Sequence, residues 1–157
     1  MYDSTADTLL HIKTVNKLLL FAAQQLILRA IKHDDSKLNS PEKELFDEYT
    51  PILKNLEYGS PEYKDSLEKL KPALAHHYEN NSHHPEHYTN GVNGMNLFDL
   101  IEMFFDWKAA IQRTKGGDFI KSLEINSKRF EMSDQLSEIF MNTAKHCGYL
   151  HPNIEQL

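Results

Sequence analysis

Apolar side chains recur every three or four residues along most of this chain, which is the spacing of one face of an α-helix. At the start of the chain this pattern predicts an amphipathic helix from residue 5 to about residue 24. Ser4 and Asp7 have the spacing of a capping box at its beginning, with Asp in place of the usual Glu. The apolar positions of this helix are Leu9, Ile12, Val15, Leu19 and Ala22 or Ala23.

Later helices are marked by their start and stop signals. Ser40-Pro41-Glu42 and Ser60-Pro61-Glu62 each combine a cap, a proline and an early acid, which favours a helix start. The helix that follows Ser60 should reach His76 or Asn80, and Pro72 inside it suggests a kink or a break. The segment from His76 to Asn96 is polar, contains Pro85, Gly91 and Gly94, and is typical of a helix end followed by a loop.

The last third of the chain predicts three more helices. Asn96 caps a strongly periodic stretch that runs from Leu97 to about Thr114 and stops at Gly116-Gly117. Residues 118–130 and 134–146 complete the set, and Ser133 and Gly148 mark the two ends of the last one. No stretch alternates with period two for long enough to predict a strand. We therefore expect an all-α fold of six or seven helices in a single metal-binding domain over residues 1–157.

Composition narrows the class of protein. The chain has 157 residues, 40% of them hydrophobic and 25% charged, as in an ordinary soluble domain. A net charge of −6 argues against a nucleic-acid duplex as the main partner. Cys147 is the only cysteine, so an internal disulfide is excluded and a reducing, cytoplasmic location is expected. The longest apolar run, Leu18 to Ala23, is too short to span a membrane. A homo-oligomer is compatible with all of this.

The first candidate site is the stretch His33-Asp34-Asp35-Ser36-Lys37. His33 and Asp34 offer a neutral nitrogen and an anionic oxygen in adjacent positions, a mixture that zinc, manganese or iron accepts. Lys37 lies three residues beyond Asp34 and can place a positive charge beside an anionic ligand of the metal. The alternative is an ordinary polar helix terminus.

Histidines form the second candidate cluster. Nine are present, and five of them lie between His76 and His87. On a helix His77, Asn80 and His84 would share one face, although Pro85 interrupts the pattern. Imidazole is the commonest metal-binding side chain, so His76, His77 and His84 are candidate ligands that would complete a site begun by His33 and Asp34. The alternative is a solvated histidine-rich loop.

Acidic residues form the third cluster, because Asp99, Glu102 and Asp106 lie on one face of the helix that begins at Leu97. Bulky hydrophobic residues flank them, and carboxylates in such surroundings are costly unless they are paired or bind a cation. These three acids are therefore candidates to bind a cation. A structural salt bridge with Lys108 or Arg113 is the alternative.

His11 shares a site with His33 only if the chain turns back between them. On one straight helix the two residues would be about 33 Å apart, at about 1.5 Å per residue. We expect the turn between Gln24 and Arg29, although no Gly or Pro marks it.

The order of these residues resembles the HD superfamily of all-α metal-dependent phosphohydrolases, in which a His, an adjacent His-Asp pair, optional further His and a distal Asp follow one another. The form His33-Asp-x-x-Lys37 is similar to that of its cyclic-dinucleotide hydrolases. More closely, residues 9 to 115 resemble a domain of unknown function found in phage and bacterial proteins. The blocks that carry this likeness are His11-Ile-Lys-Thr-Val15, His33-Asp-Asp-Ser-Lys37, His76-His77 to Tyr88, and Glu102-Met-Phe-Phe-Asp106-Trp-Lys-Ala-Ala110. The superfamily implies a metal held by His11, His33, Asp34 and Asp106, with Asp34 able to bridge to a second ion.

We therefore expect a phosphohydrolase that acts on a small phosphorylated molecule, most simply a nucleotide or cyclic nucleotide. It would use one or two divalent transition-metal ions, namely manganese, zinc, iron or cobalt. Asp34 would orient the attacking water, Lys37 would offset substrate charge, and His83, His84 or Glu102 would transfer protons. Two rival hypotheses remain. One is a di-iron oxygenase of the same superfamily, and the other is a non-catalytic protein that sequesters a nucleotide.

Overall fold

The protein is all-α, as the periodicity predicts. The computed structural model describes residues 2–56, 60–112 and 117–149, and within these ranges no residue lies in a β-strand. The chain divides into two compact units, residues 1–33 and 34–157. The prediction of one domain over the whole chain stays a prediction. The described helices are α1 (Thr5–Lys32), α2 (Glu42–Lys54), α3 (Pro61–Asn80), α4 (Leu97–Gln112), α5 (Phe119–Arg129) and α6 (Asp134–His146).

The first unit consists of α1, which is one uninterrupted helix of 28 residues. The predicted turn between Gln24 and Arg29 is therefore wrong. The physical reason lies in the residues themselves, since Gln, Leu and Arg are good helix formers and neither Gly nor Pro interrupts them. Because α1 is continuous, His11 and His33 of one chain are about 33 Å apart and cannot ligate the same ion.

In the second unit α3 is the helix that carries a candidate ligand into the interior. Ser60 caps it, because its Oγ accepts a hydrogen bond from the backbone N–H of Tyr63 at 3.1 Å. Pro72 lies inside the helix and does not end it, so of the two suggested alternatives the break is wrong and the kink stays a prediction. The buried residues of α3 are Ser66, Leu70, Ala73 and His77, which follow one another at helical spacing. His77 thus occupies a core position of the helix.

Aromatic packing holds α4, α5 and α6 together. The Phe104 ring lies 5.2 Å from that of Phe119 and 5.3 Å from that of Phe140, in edge-to-face contacts. Met103, Leu123 and Ala144 complete the buried cluster. These contacts position α4, whose Asp99 and Glu102 contact Tyr88 and His83 of the histidine-rich segment.

The predicted caps of these helices are confirmed. Asn96 Oδ1 accepts from the N–H of Phe98 at 2.8 Å, and Ser133 Oγ accepts from the N–H of Leu136 at 3.3 Å. Gly148, with φ of +74°, follows α6 as expected. The predicted end of α4 near Thr114 lies outside the described residues.

Among the described residues, no helix combines the length and the apolar character that crossing a membrane requires.

Candidate metal centre

Four side chains of the second unit bring their donor atoms together. Asp34, His77, His83 and His84 each offer one ligand atom, and these atoms all lie within 4.8 Å of one another. Oδ1 of Asp34 is 3.3 Å from Nε2 of His77 and 3.5 Å from Nε2 of His83. Nε2 of His77 is 2.9 Å from Nε2 of His84. Three imidazole nitrogens and one carboxylate oxygen therefore converge on one point.

The four donors reach this point from three different pieces of backbone. Asp34 has φ of +59°, the left-handed conformation that Asp tolerates better than most residues, and a short 3-10 turn from Asp35 to Leu38 follows it. His77 projects from the buried face of α3. His83 and His84 lie in the loop that begins after α3 ends at Asn80. The sequence brings together residues up to 50 positions apart (34 to 84) by packing, and no single helix supplies them.

A buried carboxylate orients His77. Its Nδ1 is 2.9 Å from Oε2 of Glu42, and the two side chains are 1% and 0% exposed. An ionised carboxylate can only accept a hydrogen bond, so the proton of His77 lies on Nδ1 and the Nε2 lone pair faces the other donors. Burial by itself would raise the pKa of Glu42, but hydrogen bonds from His76 and Ser36 and the nearby His77 outweigh it, so the pKa is lowered.

The same arrangement recurs at His83. Its Nδ1 lies 3.2 Å from Oε1 of Glu102, while its Nε2 is shielded from solvent and faces Asp34. The Glu102 carboxylate, 13% exposed, thus selects the tautomer in which Nε2 carries a lone pair. Pairs in which a carboxylate holds one nitrogen of an imidazole and leaves the other for a cation are typical of metal sites in proteins.

His84 is held in its neutral form. Its pKa is lowered from 6.5 to about 3, first because it is buried and then because His83 and His77 lie close to it. The charge of Lys37 acts in the same direction, and that of Asp106 opposes it. A metal ligand must be a neutral imidazole, so the site supplies the required protonation state at pH 7 without a metal.

Lys37 completes the surroundings of Asp34. Its Nζ is 2.6 Å from Oδ2 of Asp34, the oxygen that does not face the histidines. The ammonium also lies over the Phe46 ring, 5.6 Å from its centroid. The lysine side chain is 35% exposed, so it holds Asp34 from one side and meets solvent on the other.

Asp99 has a different role from the other acids of α4. Its carboxylate is fully buried and accepts hydrogen bonds from the hydroxyl groups of Ser82 and Tyr88, both at 2.7 Å, and from the N–H of Asn96 at 2.9 Å. These bonds fasten the histidine-rich segment to the start of α4. Asp99 is therefore a structural residue that positions the loop of His83 and His84.

The other predicted ligands are not among the four converging donors. His76 is half-exposed and donates its Nδ1–H to Oε1 of Glu42 at 2.7 Å, and it is not among the four converging donors. Asp106 influences His84 through its charge. His11 and His33 belong to the first unit, and the continuous helix α1 separates them, so the predicted site that they share is wrong. The roles of His33 and of Asp106 as ligands stay predictions.

Three residues that support the histidines of the site were not predicted from the sequence. Glu42 was interpreted only as an early acid of a helix, although it is fully buried between two histidines. Ser36 and Asn81 were not considered, yet the Asn81 amide donates to Oγ of Ser36 and to the backbone oxygen of His77, both at 2.8 Å. A buried acid at a helix start has no signature in one sequence, because exposed acids are common there.

The donor set fits a divalent transition metal. Three neutral imidazoles and one carboxylate suit zinc, iron, manganese or cobalt, and calcium and magnesium prefer all-oxygen sites. A histidine-rich surface loop would leave its imidazoles in water, whereas His77 and His83 are 1% and 2% exposed. The burial and orientation of these imidazoles argue against a solvated histidine-rich loop.

One family model matches residues 1–146, and its description is "Family of unknown function (DUF5662)". No curated protein and no solved structure matches the chain.

Proposed function

We propose that this chain, which belongs to the family of unknown function DUF5662, is a metal-dependent phosphohydrolase that acts on a small phosphorylated molecule such as a nucleotide. One observation carries the proposal. Nε2 atoms of three histidines and Oδ1 of Asp34 converge within 4.8 Å, and the carboxylates of Glu42 and Glu102 orient two of the three imidazoles. The choice of reaction rests on the resemblance of the His-Asp and His-rich blocks to the HD superfamily.

In the proposed site His77, His83, His84 and Asp34 hold one ion. A bound divalent ion would lower the pKa of a coordinated water and polarise phosphoryl oxygens. The sequence assigned His83 to proton transfer, but in this proposal it acts as a ligand. Its Nδ1 faces Glu102 and its Nε2 faces Asp34 and the other donors, so neither nitrogen is left to exchange a proton with the substrate. Glu102 then has the role of orienting His83 rather than of exchanging protons with substrate.

Lys37 has two tasks in the proposal. Its Nζ lies 2.6 Å from Oδ2 of Asp34, which leaves Oδ1 to face the histidines. Its exposed part can approach an anionic oxygen of a substrate that arrives from solvent. A phosphate ester brings negative charge to a site already lined by Asp34, Glu42 and Glu102, so a nearby ammonium is needed to reduce repulsion.

The first test concerns the metal. The untagged protein is stripped with a chelator and titrated with zinc, manganese, cobalt or iron. About one ion should bind with each chain, and His77→Ala should reduce the affinity about a hundredfold or more. His87→Ala is the matched control, since this exposed histidine lies in the same segment and its Nδ1 contacts the backbone oxygen of Tyr78. Equal losses in both variants, or no binding to the wild type, would overturn the site.

The second test concerns the reaction. Nucleoside monophosphates and triphosphates, cyclic nucleotides and simple phosphoesters are screened with each metal, in air and without oxygen. Release of phosphate or pyrophosphate, or opening of a cyclic ester, that is indifferent to oxygen is the expected result. Turnover that requires iron and oxygen would replace the proposal with an oxygenase. Tight nucleotide binding without any product would replace it with a sequestering protein.

A further inference from the structure

Ser36 and Asn81 form a series of hydrogen bonds that ends at the carboxylate of Glu42. The amide nitrogen of Asn81 is 2.8 Å from Oγ of Ser36 and 2.8 Å from the backbone oxygen of His77. Ser36 in turn hydrogen-bonds the Glu42 carboxylate and contributes to lowering its pKa. All four residues belong to the second unit. The series therefore joins the short turn that follows Asp34 to the end of α3.

The backbone of α3 fixes which end of the Asn81 amide faces Ser36. A backbone oxygen can only accept a hydrogen bond, so the Asn81 atom that lies 2.8 Å from the oxygen of His77 is the nitrogen. The two hydrogens of this nitrogen are matched by the two oxygens at 2.8 Å. Nδ1 of His77, which is 3.0 Å from the same nitrogen, keeps its own hydrogen for Glu42. A peptide group thus sets the direction of the first bond.

The Ser36 hydroxyl has one hydrogen to donate. Its Oγ accepts from Asn81 and also lies 3.2 Å from Nδ1 of His77. Because that nitrogen already carries the hydrogen that faces Glu42, the hydroxyl donates to the carboxylate. If Ser36 donated to His77 instead, the imidazole would carry its hydrogen on Nε2, the nitrogen that faces the other donors. A nitrogen in that state has no lone pair for a metal.

We propose that Ser36 and Asn81 are positioning residues of the metal centre, which direct a third hydrogen bond to Glu42 and so keep His77 in the tautomer whose Nε2 can bind a metal. The first two bonds to the buried carboxylate come from His76 and His77. A carboxylate that accepts several hydrogen bonds stays ionised despite its burial. The proposal rests on the metal site of the proposed function and is independent of the reaction.

The metal affinity of the full chain tests the role of Ser36. Ser36→Ala removes the donor to Glu42 and the acceptor of Asn81, so the affinity for zinc should fall about tenfold or more. Ser36→Thr keeps the hydroxyl and should restore the affinity to within about threefold of the wild type. Ser66→Ala is the matched control, because this buried serine of α3 donates only to the backbone oxygen of Glu62 and should affect stability alone. Equal affinities of Ser36→Ala and the wild type, or an equal loss in Ser66→Ala, would overturn the proposal.

Asn81 has a matched control in the residue before it. Asn81→Leu keeps the branched shape of the side chain and removes the amide, so the affinity should again fall about tenfold. Asn80 makes the same bond to the backbone oxygen of His76, at 2.8 Å, and its amide also faces the ring of His76, which is not a converging donor. Asn80→Leu should leave the affinity unchanged. Because Ser36 and Asn81 act through one series of bonds, Ser36→Ala combined with Asn81→Leu should lose no more than the weaker-binding single variant. Losses that multiply would overturn the shared path.

The tautomer of His77 provides a measurement that needs no metal. NMR of the imidazole nitrogens in the metal-free chain, at about pH 8, distinguishes a hydrogen on Nδ1 from a hydrogen on Nε2. The wild type, Ser66→Ala and Asn80→Leu should show the hydrogen on Nδ1, and Ser36→Ala and Asn81→Leu should show a larger share on Nε2. An unchanged tautomer in both of the last two variants would overturn the proposal. A wild type that binds no metal would overturn the proposed metal site, and the tautomers would still decide whether Ser36 and Asn81 position His77.

Discussion

Nδ1 of His77 lies 2.9 Å from Oε2 of Glu42, and both side chains are shielded from solvent. The same carboxylate accepts the Nδ1–H of His76 through its other oxygen, at 2.7 Å. One buried acid therefore fixes the tautomer of two consecutive histidines on α3, although only His77 turns its second nitrogen towards the other donors. The energetic cost of burying Glu42 is offset by these two charge-assisted hydrogen bonds. Glu42 is thus the residue on which the orientation of His77 depends.

The first prediction follows from this dependence. Glu42→Gln keeps the shape of the side chain and removes its charge, so the preference of His77 for the Nδ1–H tautomer is weakened. We expect metal affinity to fall about 10- to 100-fold. Competition with a chromophoric chelator measures the affinity. Glu44→Gln, an exposed position of the same helix, is the control and should have no effect. Unchanged affinity in Glu42→Gln would show that the carboxylate does not orient a ligand.

A second prediction concerns Asp99, whose three hydrogen bonds fasten the histidine-rich loop to α4. Tyr88→Phe removes one of the two hydroxyl donors from a buried carboxylate, so the free energy of unfolding should fall by about 1.5–3 kcal/mol. Asp99→Ala should cost more, because it leaves Ser82, Tyr88 and the N–H of Asn96 without this acceptor. Urea unfolding of the metal-free protein measures both changes. Tyr2→Phe, at an exposed tyrosine, is the control.

The fold could be predicted from the sequence because its signals are local. Caps such as Ser60 and Asn96 act within three residues, and the apolar period of α4 is visible in one stretch. The prediction of α1 was wrong because an assumed long-range contact was given more weight than the local helix signals. The turn near Gln24 was predicted only to bring His11 to His33, against helix-forming residues with no breaker, and α1 is continuous there. Pro72 was predicted to kink or break its helix, and α3 continues through it, so propensity alone did not show that the helix would extend to Asn80.

The site could be predicted only in part. The residue types of Asp34, His77 and His84 indicated a metal, and the structure brings these three together with His83. Sequence could not separate His76 from His77, because adjacent histidines differ only in the direction that α3 gives them. It could not separate Asp99 from Glu102 either. Both lie on one face of α4, and their roles differ through contacts with Tyr88 and His83, which come from a loop.

The third prediction concerns pH. The unfolded chain protonates His84 near its ordinary pKa of 6.5, whereas the folded protein does so only near about 3. Between these values the unfolded state binds more protons, so the free energy of unfolding of the metal-free protein should fall as the pH decreases. Above pH 6.5 both states are neutral at His84 and this contribution is constant. His84→Gln should show a smaller loss between pH 7 and pH 4 in urea unfolding with a chelator present. His87→Gln should retain the full loss, and an unaltered profile in His84→Gln would contradict the assignment.

The last prediction concerns Lys37, because its contact with Asp34 gives it two separable roles. Lys37→Met removes the ammonium, whose Nζ lies 5.6 Å from the centroid of the Phe46 ring, and keeps much of the apolar stem of the side chain. If lysine mainly offsets substrate charge, metal content should stay within about twofold of the wild type, since Oδ1 of Asp34 and the three imidazoles remain. Turnover of phosphate esters should fall about tenfold or more, chiefly through KM, because an anionic substrate loses its counter-charge. Lys43→Met is the matched control, as this lysine pairs with Asp47 on the exposed side of α2. Loss of the metal in Lys37→Met would instead show that the ammonium holds Asp34 in its ligand position. The two results are distinguished by measuring bound metal and steady-state rates on the same preparation.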